Sequence, residues 1–216
     1  MKIEEIYLSS KKYPQLLKMI YNPPQKLYVL GNKEILNDIG IAIVGTRKAT
    51  EYGKRVTLKL SEDLSKSDIV VISGLAKGID SYAHIGTLKV QNGKTIAVLG
   101  SGIKEIYPKE NIELARKIIK NGGCIISEYP PEEKPNKINF PERNRIISGL
   151  SKGVVVIEAA EKSGALITAD FALEQGREVF AVPGDIYSTT SVGTNKLIGQ
   201  GAKLVTNYKD ILEEIY

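Results

Sequence analysis

The chain has 216 residues, 42% of them hydrophobic and 25% charged, which is enough for one α/β domain with a buried core. Lys and Arg total 30 against 25 Asp and Glu, and the resulting net charge of +5 favours an anionic partner. One cysteine excludes a disulfide framework or a thiolate metal site within one chain, and the lack of a membrane-length apolar stretch or secretory signal predicts a cytoplasmic protein without membrane contact.

Residues 1–40 differ in character from the rest of the chain. Pro14, Pro23 and Pro24 break any long helix, while Leu16 and Leu27 are among the apolar residues that keep the segment hydrophobic. We therefore predict a short N-terminal helical arm over residues 1–40, packed on a main domain that spans residues 41–216.

From residue 41 onward, short apolar runs alternate with amphipathic segments, which is typical of parallel strands joined by helices. The runs contain Ile and Val without polar alternation, so helices should cover both faces of the sheet. The pattern predicts an α/β fold, a Rossmann-like three-layer sandwich with a mainly parallel sheet. Its predicted strands are Ile41–Val44, Ile69–Ile72, Thr95–Leu99, Cys124–Ile126, Val154–Ile157, Val179–Val182 and Lys203–Val205. Predicted apolar helix stripes are Tyr52, Val56, Leu60 and Leu64, and then Ile112, Ala115 and Ile119.

The turns that follow the strands emerge at one edge of a parallel sheet, where ligands bind. Glycine allows backbone N–H groups to approach an anion, and the next helix N-terminus adds oriented donors, so these turns suit phosphates. The alternative is that the glycines only make tight turns. The six turns are Gly45-Thr46-Arg47, Ser73 to Gly78, Gly100-Ser101-Gly102, Asn136 to Arg145, Ser163-Gly164-Ala165 and Gly193-Thr194-Asn195.

From these turns the candidate phosphate-binding residues are Gly45, Thr46, Arg47, Ser73, Gly74, Lys77, Gly78, Ser163 and Gly164. None of the turns matches a strict nucleotide motif, because Gly-x-x-x-x-Gly-Lys-Ser/Thr is absent and Gly100 and Gly102 lack a third glycine at the required spacing. We therefore expect no bound NAD, mononucleotide or other cofactor.

The most informative segment runs from Asn136 to Ser151. Pro141 suits a first helical position, which would place Arg143, Asn144 and Arg145 in the first turn. Because the helix dipole disfavours cations there, two arginines point to an external anion; an ion pair with Glu142 or a neighbouring carboxylate is the alternative.

Upstream of that turn, Lys137 and Asn139 extend the set of phosphate candidates, and Phe140 offers a ring for base stacking. Stacking beside a basic groove is how proteins bind single strands without reading their sequence. The alternative is that Phe140 is a core or helix-staple residue.

Evidence for catalysis is weak. His84 is the one histidine, and it follows Asp80 by four residues on a predicted helix, as a general base and its partner would. A helix-capping Asp80 with a hydrogen-bonded, structural His84 is the alternative that we favour. The chain offers no metal-ligand cluster, so we expect a binding protein with no catalytic residues and no metal.

The motifs together resemble the DNA-processing protein A (DprA/Smf) family over residues 13–207. The resemblance rests on Gly45-Thr46-Arg47, on Ser73 to Asp80 with His84, on Phe140 to Ser151, on Ser163 to Ala169, and on Gly176-Arg177, Ala181 to Gly184 and Gly193-Thr194-Asn195. It implies a homodimer that binds incoming single-stranded DNA during natural transformation and loads a RecA-type recombinase. It also implies that Arg47, Lys137, Phe140, Arg143 and Arg145 contact the DNA.

Two other functions remain open at this stage. The fold resembles nucleoside-monophosphate phosphoribohydrolases of the lysine-decarboxylase-like type, which use a Pro-Gly-Gly-x-Gly-Thr turn followed by a catalytic glutamate. The corresponding turn here, Ser163 to Ala169, has no carboxylate, so the catalytic group of that family is missing. The third candidate is a sensor that binds a free nucleotide and relays its presence to a partner.

Overall fold

The computed structural model describes residues 2–216, so Met1 of the predicted arm lies outside it. Its strands are β1 (Glu4–Tyr7), β2 (Lys26–Gly31), β3 (Gly40–Val44), β4 (Val70–Ser73), β5 (Thr95–Val98), β6 (Cys124–Ser127), β7 (Gly153–Val156), β8 (Glu178–Ala181) and β9 (Lys203–Leu204). Its α-helices are α1 (Gln15–Lys18), α2 (Glu51–Lys66), α3 (Ile79–Thr87), α4 (Ile112–Lys120), α5 (Asn139–Gly149), α6 (Gly164–Glu174), α7 (Val192–Gly199) and α8 (Lys209–Ile215). Short 3-10 helices lie at Lys33–Asn37 and Lys109–Asn111. Within residues 2–216, none of the helices combines the length and the apolarity needed to cross a membrane.

All strands of the described chain belong to one mixed sheet with the order β1-β2-β6-β5-β4-β3-β7-β8-β9. Each pairing among β3 to β9 is parallel, whereas β1 and β2 are antiparallel to their neighbours. The seven strands predicted after residue 40 are confirmed, with bounds that differ by one residue at most.

Both faces of the sheet are covered, as the apolar strands predicted. In β3, Ile41 and Ile43 pack with side chains of α2, α3 and α8 on one face. Ala42 and Val44 point to the other face and join the cluster of α5, α6 and α7. The Rossmann-like three-layer sandwich is therefore confirmed.

Helix α2 buries a face that partly differs from the predicted stripe. Leu60 and Leu64 are buried as predicted, but Tyr52 is 39% exposed, and the small polar side chain of Ser61 is buried instead. The reason is the close approach of α3, since a Cβ atom at Gly86 would overlap the Ser61 hydroxyl. Hydrophobic spacing alone does not reveal a contact made by small side chains.

The N-terminal segment also differs from the expected helical arm. It contains the short helix α1, but its strands β1 and β2 extend the sheet beyond β6. In β2, Leu27 and Val29 point to one face and Tyr28 to the other, and all three are buried. Burial on both faces removes the period-2 alternation that identifies a strand, so the sequence pattern of β2 was ambiguous.

Candidate functional site

The candidate site lies where the strand order reverses. β3 has β4 on one side and β7 on the other, and the helices that follow β3 and β7 cover opposite faces of the sheet. The two chain segments therefore diverge and leave a crevice, which is where open α/β sheets bind ligands. An open cavity of about 470 Å³ fills this crevice.

The cavity brings together residues from four of the predicted turns. Among the predicted site residues, those that line it are Gly45, Thr46, Arg47, Lys137, Phe140, Arg143, Asn144, Ser163 and Gly164. Gly74 and Lys77 line a narrow slot that shares Arg47 and Phe140 with the cavity. Ser73, Gly78, Asn139 and Arg145 line neither space.

The N-terminus of α6 supplies backbone donors to the cavity. Ser163 is the N-cap, and its hydroxyl accepts a hydrogen bond from the Ala165 N–H at 3.3 Å. The first turn of α6 carries no acidic residue, and Gly164 is exposed, with no atom within 4 Å of a Cβ built on it. An anion can therefore approach the positive end of this helix closely.

Arg47 provides an exposed cation at the rim of the cavity. It forms no ion pair with any residue of the described chain, and its Cζ atom lies 5.7 Å from the centre of the Phe140 ring. This cation–π geometry holds the guanidinium over the cavity without neutralising its charge.

The buried carboxylate of Glu158 fixes the loop that carries Arg47. Glu158 accepts hydrogen bonds from the Thr50 N–H at 3.0 Å and from the Thr50 hydroxyl at 2.5 Å. Its backbone oxygen also accepts from the Thr46 N–H at 2.8 Å. Because Thr50 is the N-cap of α2, the loop is held at both ends.

Arg143 is part of the cavity wall and is largely inaccessible to a ligand. Its side chain is 4% exposed, and its Nη1 donates to the carbonyls of Gly74, at 2.8 Å, and Val98. Burial lowers the pKa of Arg143 to about 10, against the opposing influence of Asp80, so the group stays charged at neutral pH. The direct phosphate contact of Arg143 stays a prediction, and the contacts within the protein show that Arg143 anchors a loop and adds positive potential to the cavity.

Asp80 holds the same loop through that loop's backbone N–H groups. Its Oδ2 accepts from the Gly74 N–H at 3.2 Å and the Ala76 N–H at 3.4 Å. Burial raises the pKa of Asp80, while the charge of Arg143 lowers it. A Cβ at Gly74 would lie 2.7 Å from Asp80 and 2.8 Å from Arg143, so this position has room only for glycine.

The loop continues to Gly78, which contacts the backbone of the Arg47 turn. Gly78 has φ +76, a conformation favourable to glycine, and a Cβ on it would overlap the carbonyl oxygen of Thr46. The Ile79 N–H then donates to that same oxygen at 3.2 Å. Asp80 and Arg143 thus position Arg47 through a continuous run of backbone contacts.

Arg145 faces away from the cavity. Helix α5 begins at Asn139 rather than at Pro141, so Arg145 lies beyond the first turn and the dipole argument does not apply to it. Two positions along a helix correspond to a rotation of about 200°, so Arg143 and Arg145 cannot share a face. Arg145 pairs with Glu128 at 2.6 Å, with both side chains about 15% exposed. The ion-pair alternative therefore describes Arg145, with Glu128 rather than Glu142 as its partner.

The remaining predicted site residues are buried or make contacts within the protein. The Ser73 hydroxyl is buried and donates to the Ile43 carbonyl at 2.7 Å. Asn139 is 8% exposed, and Lys77 forms an exposed ion pair with Glu110 at 2.7 Å. Tyr107, which the sequence interpretation missed, lines both the cavity and the slot. The sequence feature that could have indicated Tyr107 is the presence of an aromatic residue in the turn after β5.

His84 is a buried core residue, as the structural alternative predicted, but the predicted capping by Asp80 is wrong, because Gly78 is the N-cap of α3 and no side chain caps that helix. Its Nδ1 lies 2.8 Å from the Thr95 hydroxyl, which itself donates to the Val71 carbonyl at 2.6 Å. The hydroxyl can therefore only accept from His84, which places the proton on Nδ1. Burial lowers the pKa of His84 to about 3. Among residues 2–216, no three His, Cys, Asp or Glu side chains are grouped so as to hold a metal ion.

Comparison with known families gives a match over nearly the whole chain. The model of the family described as DNA recombination-mediator protein A matches residues 4–216. DNA processing protein DprA of Bacillus subtilis is 50% identical over 99% of this chain and 71% of its own length. Protein Smf of Escherichia coli is 47% identical over 95% of this chain, which spans only 55% of that longer protein.

Two solved structures share the fold in detail. The X-ray structure of DNA processing protein A from Streptococcus pneumoniae superposes with a TM-score of 0.93 and 43% identity, over 100% of this chain and 75% of that one. The second is DNA processing protein A from Helicobacter pylori, whose structure concerns its single-stranded DNA binding mode. It gives a TM-score of 0.87 and 31% identity over 99% and 98% of the two chains.

The surroundings of His84 predict an imidazole that stays neutral. Because its folded pKa is lowered from 6.5 to about 3, its contribution to stability is complete above pH 6.5 and is lost as the pH falls from 6.5 towards 3. A long-range ¹H–¹⁵N correlation spectrum should show one Nδ1-protonated ring with constant shifts between pH 8 and pH 5. A titration midpoint near 6.5 would contradict the buried position.

Proposed function

This chain belongs to the DNA recombination-mediator protein A (DprA/Smf) family, and we propose that it binds single-stranded DNA in the cavity between β3 and β7. The observation that carries the proposal is the exposed, unpaired guanidinium of Arg47, held over an aromatic ring and facing the cavity that also receives the N-terminus of α6. The H. pylori relative, which matches along its whole length, is described as binding single-stranded DNA and supports the same substrate.

The residues of the cavity divide into contacts and supports. Arg47 and Lys137 are exposed cations that attract phosphates, and the backbone at Gly164 gives an oriented anion site. Phe140 offers part of its ring for a base to stack on. Arg143 holds the Gly74 loop, which supports the Arg47 turn, and adds positive charge at the wall of the cavity. Such a site recognises the backbone and the aromatic face that every base has, so it binds with little sequence preference.

The electrostatic part of this proposal predicts a salt-dependent effect. In single strands, log K falls with log salt by about 0.7 for each neutralised phosphate. Arg47→Ala and Lys137→Ala should each weaken binding to oligo-dT and reduce this slope by about 0.7. Fluorescence anisotropy across a salt series measures both quantities. Unchanged affinity and slope in both variants would refute the DNA assignment of the cavity.

Arg145→Met is the matched control, because it removes one positive charge from α5 outside the cavity. It leaves Glu128 buried without its partner, which should reduce the free energy of unfolding by roughly 3 kcal/mol in urea titrations. The double variant Arg145→Met/Glu128→Leu should recover most of that loss, since an apolar pair replaces the ion pair. Both proteins should keep the salt slope of the parent.

We further propose that the protein binds DNA rather than catalysing a reaction on nucleotides. Asp80, a carboxylate that lines the cavity, is buried and already accepts from two backbone amides, and His84 is enclosed in the core. Purified protein incubated with nucleoside monophosphates should release no free base above a protein-free blank. Release that disappears in Arg47→Ala would instead favour a phosphoribohydrolase.

The family implies a cytoplasmic homodimer that protects incoming single strands during natural transformation and loads a RecA-type recombinase. We propose these roles for this chain as well. Adding the protein should shorten the lag before RecA filaments form on single strands covered by single-strand-binding protein, and Arg47→Ala should lose the effect. An unchanged lag with the DNA-binding parent protein would refute the loading role. Sedimentation equilibrium, which measures the mass of the protein in solution, tests whether it is a dimer.

A further inference from the structure

Tyr107 is an aromatic residue at the rim of the cavity that the proposed function has not yet used. It lies in the chain segment between β5 and the Lys109–Asn111 3-10 helix, and its side chain is 46% exposed. Its hydroxyl makes no hydrogen bond within residues 2–216, and the residue lines both the cavity and the adjoining slot. An exposed ring without a polar partner, at the edge of an anion-binding cavity, is suited to stacking.

Tyr107 is one of two planar groups that lie next to Phe140 at this rim, the other being Arg47. Its ring centre lies 5.7 Å from that of Phe140, and the planes are inclined by 41°. The Cζ atom of Arg47 also lies 5.7 Å from the centre of the Phe140 ring, which is farther than a stacked contact. Arg47, Phe140 and Tyr107 all line both the cavity between β3 and β7 and the slot that Lys77 also lines.

The spacing of the two rings decides how bases can use them. Stacked bases in a duplex are about 3.4 Å apart, so rings 5.7 Å apart and inclined cannot both continue one regular stack. Two successive bases could each lie on one ring only if the strand is unstacked and bent between them. A single strand can adopt that geometry, whereas a duplex cannot without breaking its pairs.

We propose that Tyr107 forms a second base-stacking subsite beside Phe140, and that the bound strand bends at this step. The proposal rests on the single-stranded DNA binding proposed above. The alternative role for Tyr107 is to support the Phe140 ring from the side.

The decisive variant is Tyr107→Leu, which keeps an apolar side chain and removes the ring. Loss of one stacked base should lower affinity for oligo-dT by roughly five- to 150-fold, while the salt slope stays at the parent value because no phosphate contact is lost. Tyr107→Phe should bind like the parent protein. Tyr187→Leu is the matched control, since Tyr187 is 90% exposed and lies outside the cavity lining.

A scan with abasic nucleotides distinguishes a Tyr107 ring that stacks on a base from one that only supports the Phe140 ring. The probe is the shortest oligo-dT that binds with full affinity, with one abasic site moved along it. The parent protein should show two adjacent positions at which the missing base weakens binding, and Tyr107→Leu should lose the effect at one of them and keep it at the other. If both positions lose the effect together, or neither changes, Tyr107 does not stack and the subsite is refuted.

The experiment also separates this proposal from the one on which it rests. If Arg47→Ala weakens binding while Tyr107→Leu binds like the parent, the DNA cavity stands and the second subsite falls. If the parent protein does not bind oligo-dT, both fall.

Discussion

The reversal of strand order between β3 and β7 is the constraint on which the site depends. Adjacent parallel strands whose helices cover the same face leave no space between their turns, but here α2 and α6 lie on opposite faces. The turn with Arg47 and the turn with Gly164 therefore diverge, and the cavity opens between them. The other groups of the site reach the cavity from the turns after β4, β5 and β6 on the same edge of the sheet.

Keeping this cavity in shape requires charges in the interior. Moving an ion out of water costs several kcal/mol, so Asp80 and Arg143 are poor choices if stability were the sole requirement. Each is compensated by backbone groups of neighbouring loops, Asp80 by two N–H donors and Arg143 by two carbonyls. The Asp80 carboxylate accepts from the Gly74 N–H and Arg143 donates to the Gly74 carbonyl, so the two opposite charges fix the loop in one arrangement, and the charge of Arg143 is retained at the cavity wall.

Sequence reasoning succeeded where one physical signal was decisive. The strands from β3 to β7 are short apolar runs rich in Ile and Val, and burial on both faces favours that composition. The edge at which the turns meet follows from parallel pairing, which is why Arg47, Lys137, Phe140 and Gly164 were predicted together and lie together.

It failed where the answer depended on the direction of a side chain or on a partner distant in the chain. Arg143 and Arg145 look alike in the sequence, yet two helical positions separate a cavity wall from an ion pair with Glu128. The rotation of about 200° between the two arginines holds wherever the helix begins, but which of them faces the cavity depends on how α5 packs on the sheet, and the sequence does not show that. Strand β2 pairs with β6, which lies almost a hundred residues later in the chain. The local sequence pattern of β2 carries no information about that partner, so it could not predict the strand.

The interactions that fix the loops of the site also explain how contacts with little sequence preference can bind a flexible strand. A loop that must be ordered on binding lowers affinity by the entropy it loses. Here Glu158 and Gly78 fix the Arg47 turn from two directions before any ligand arrives, and Asp80 and Arg143 fix the neighbouring loop. The ordering cost then falls mainly on the DNA, whose phosphates and bases have no preferred sequence in contacts of this type. Binding of that kind suits a member of the DNA recombination-mediator family to which this chain belongs.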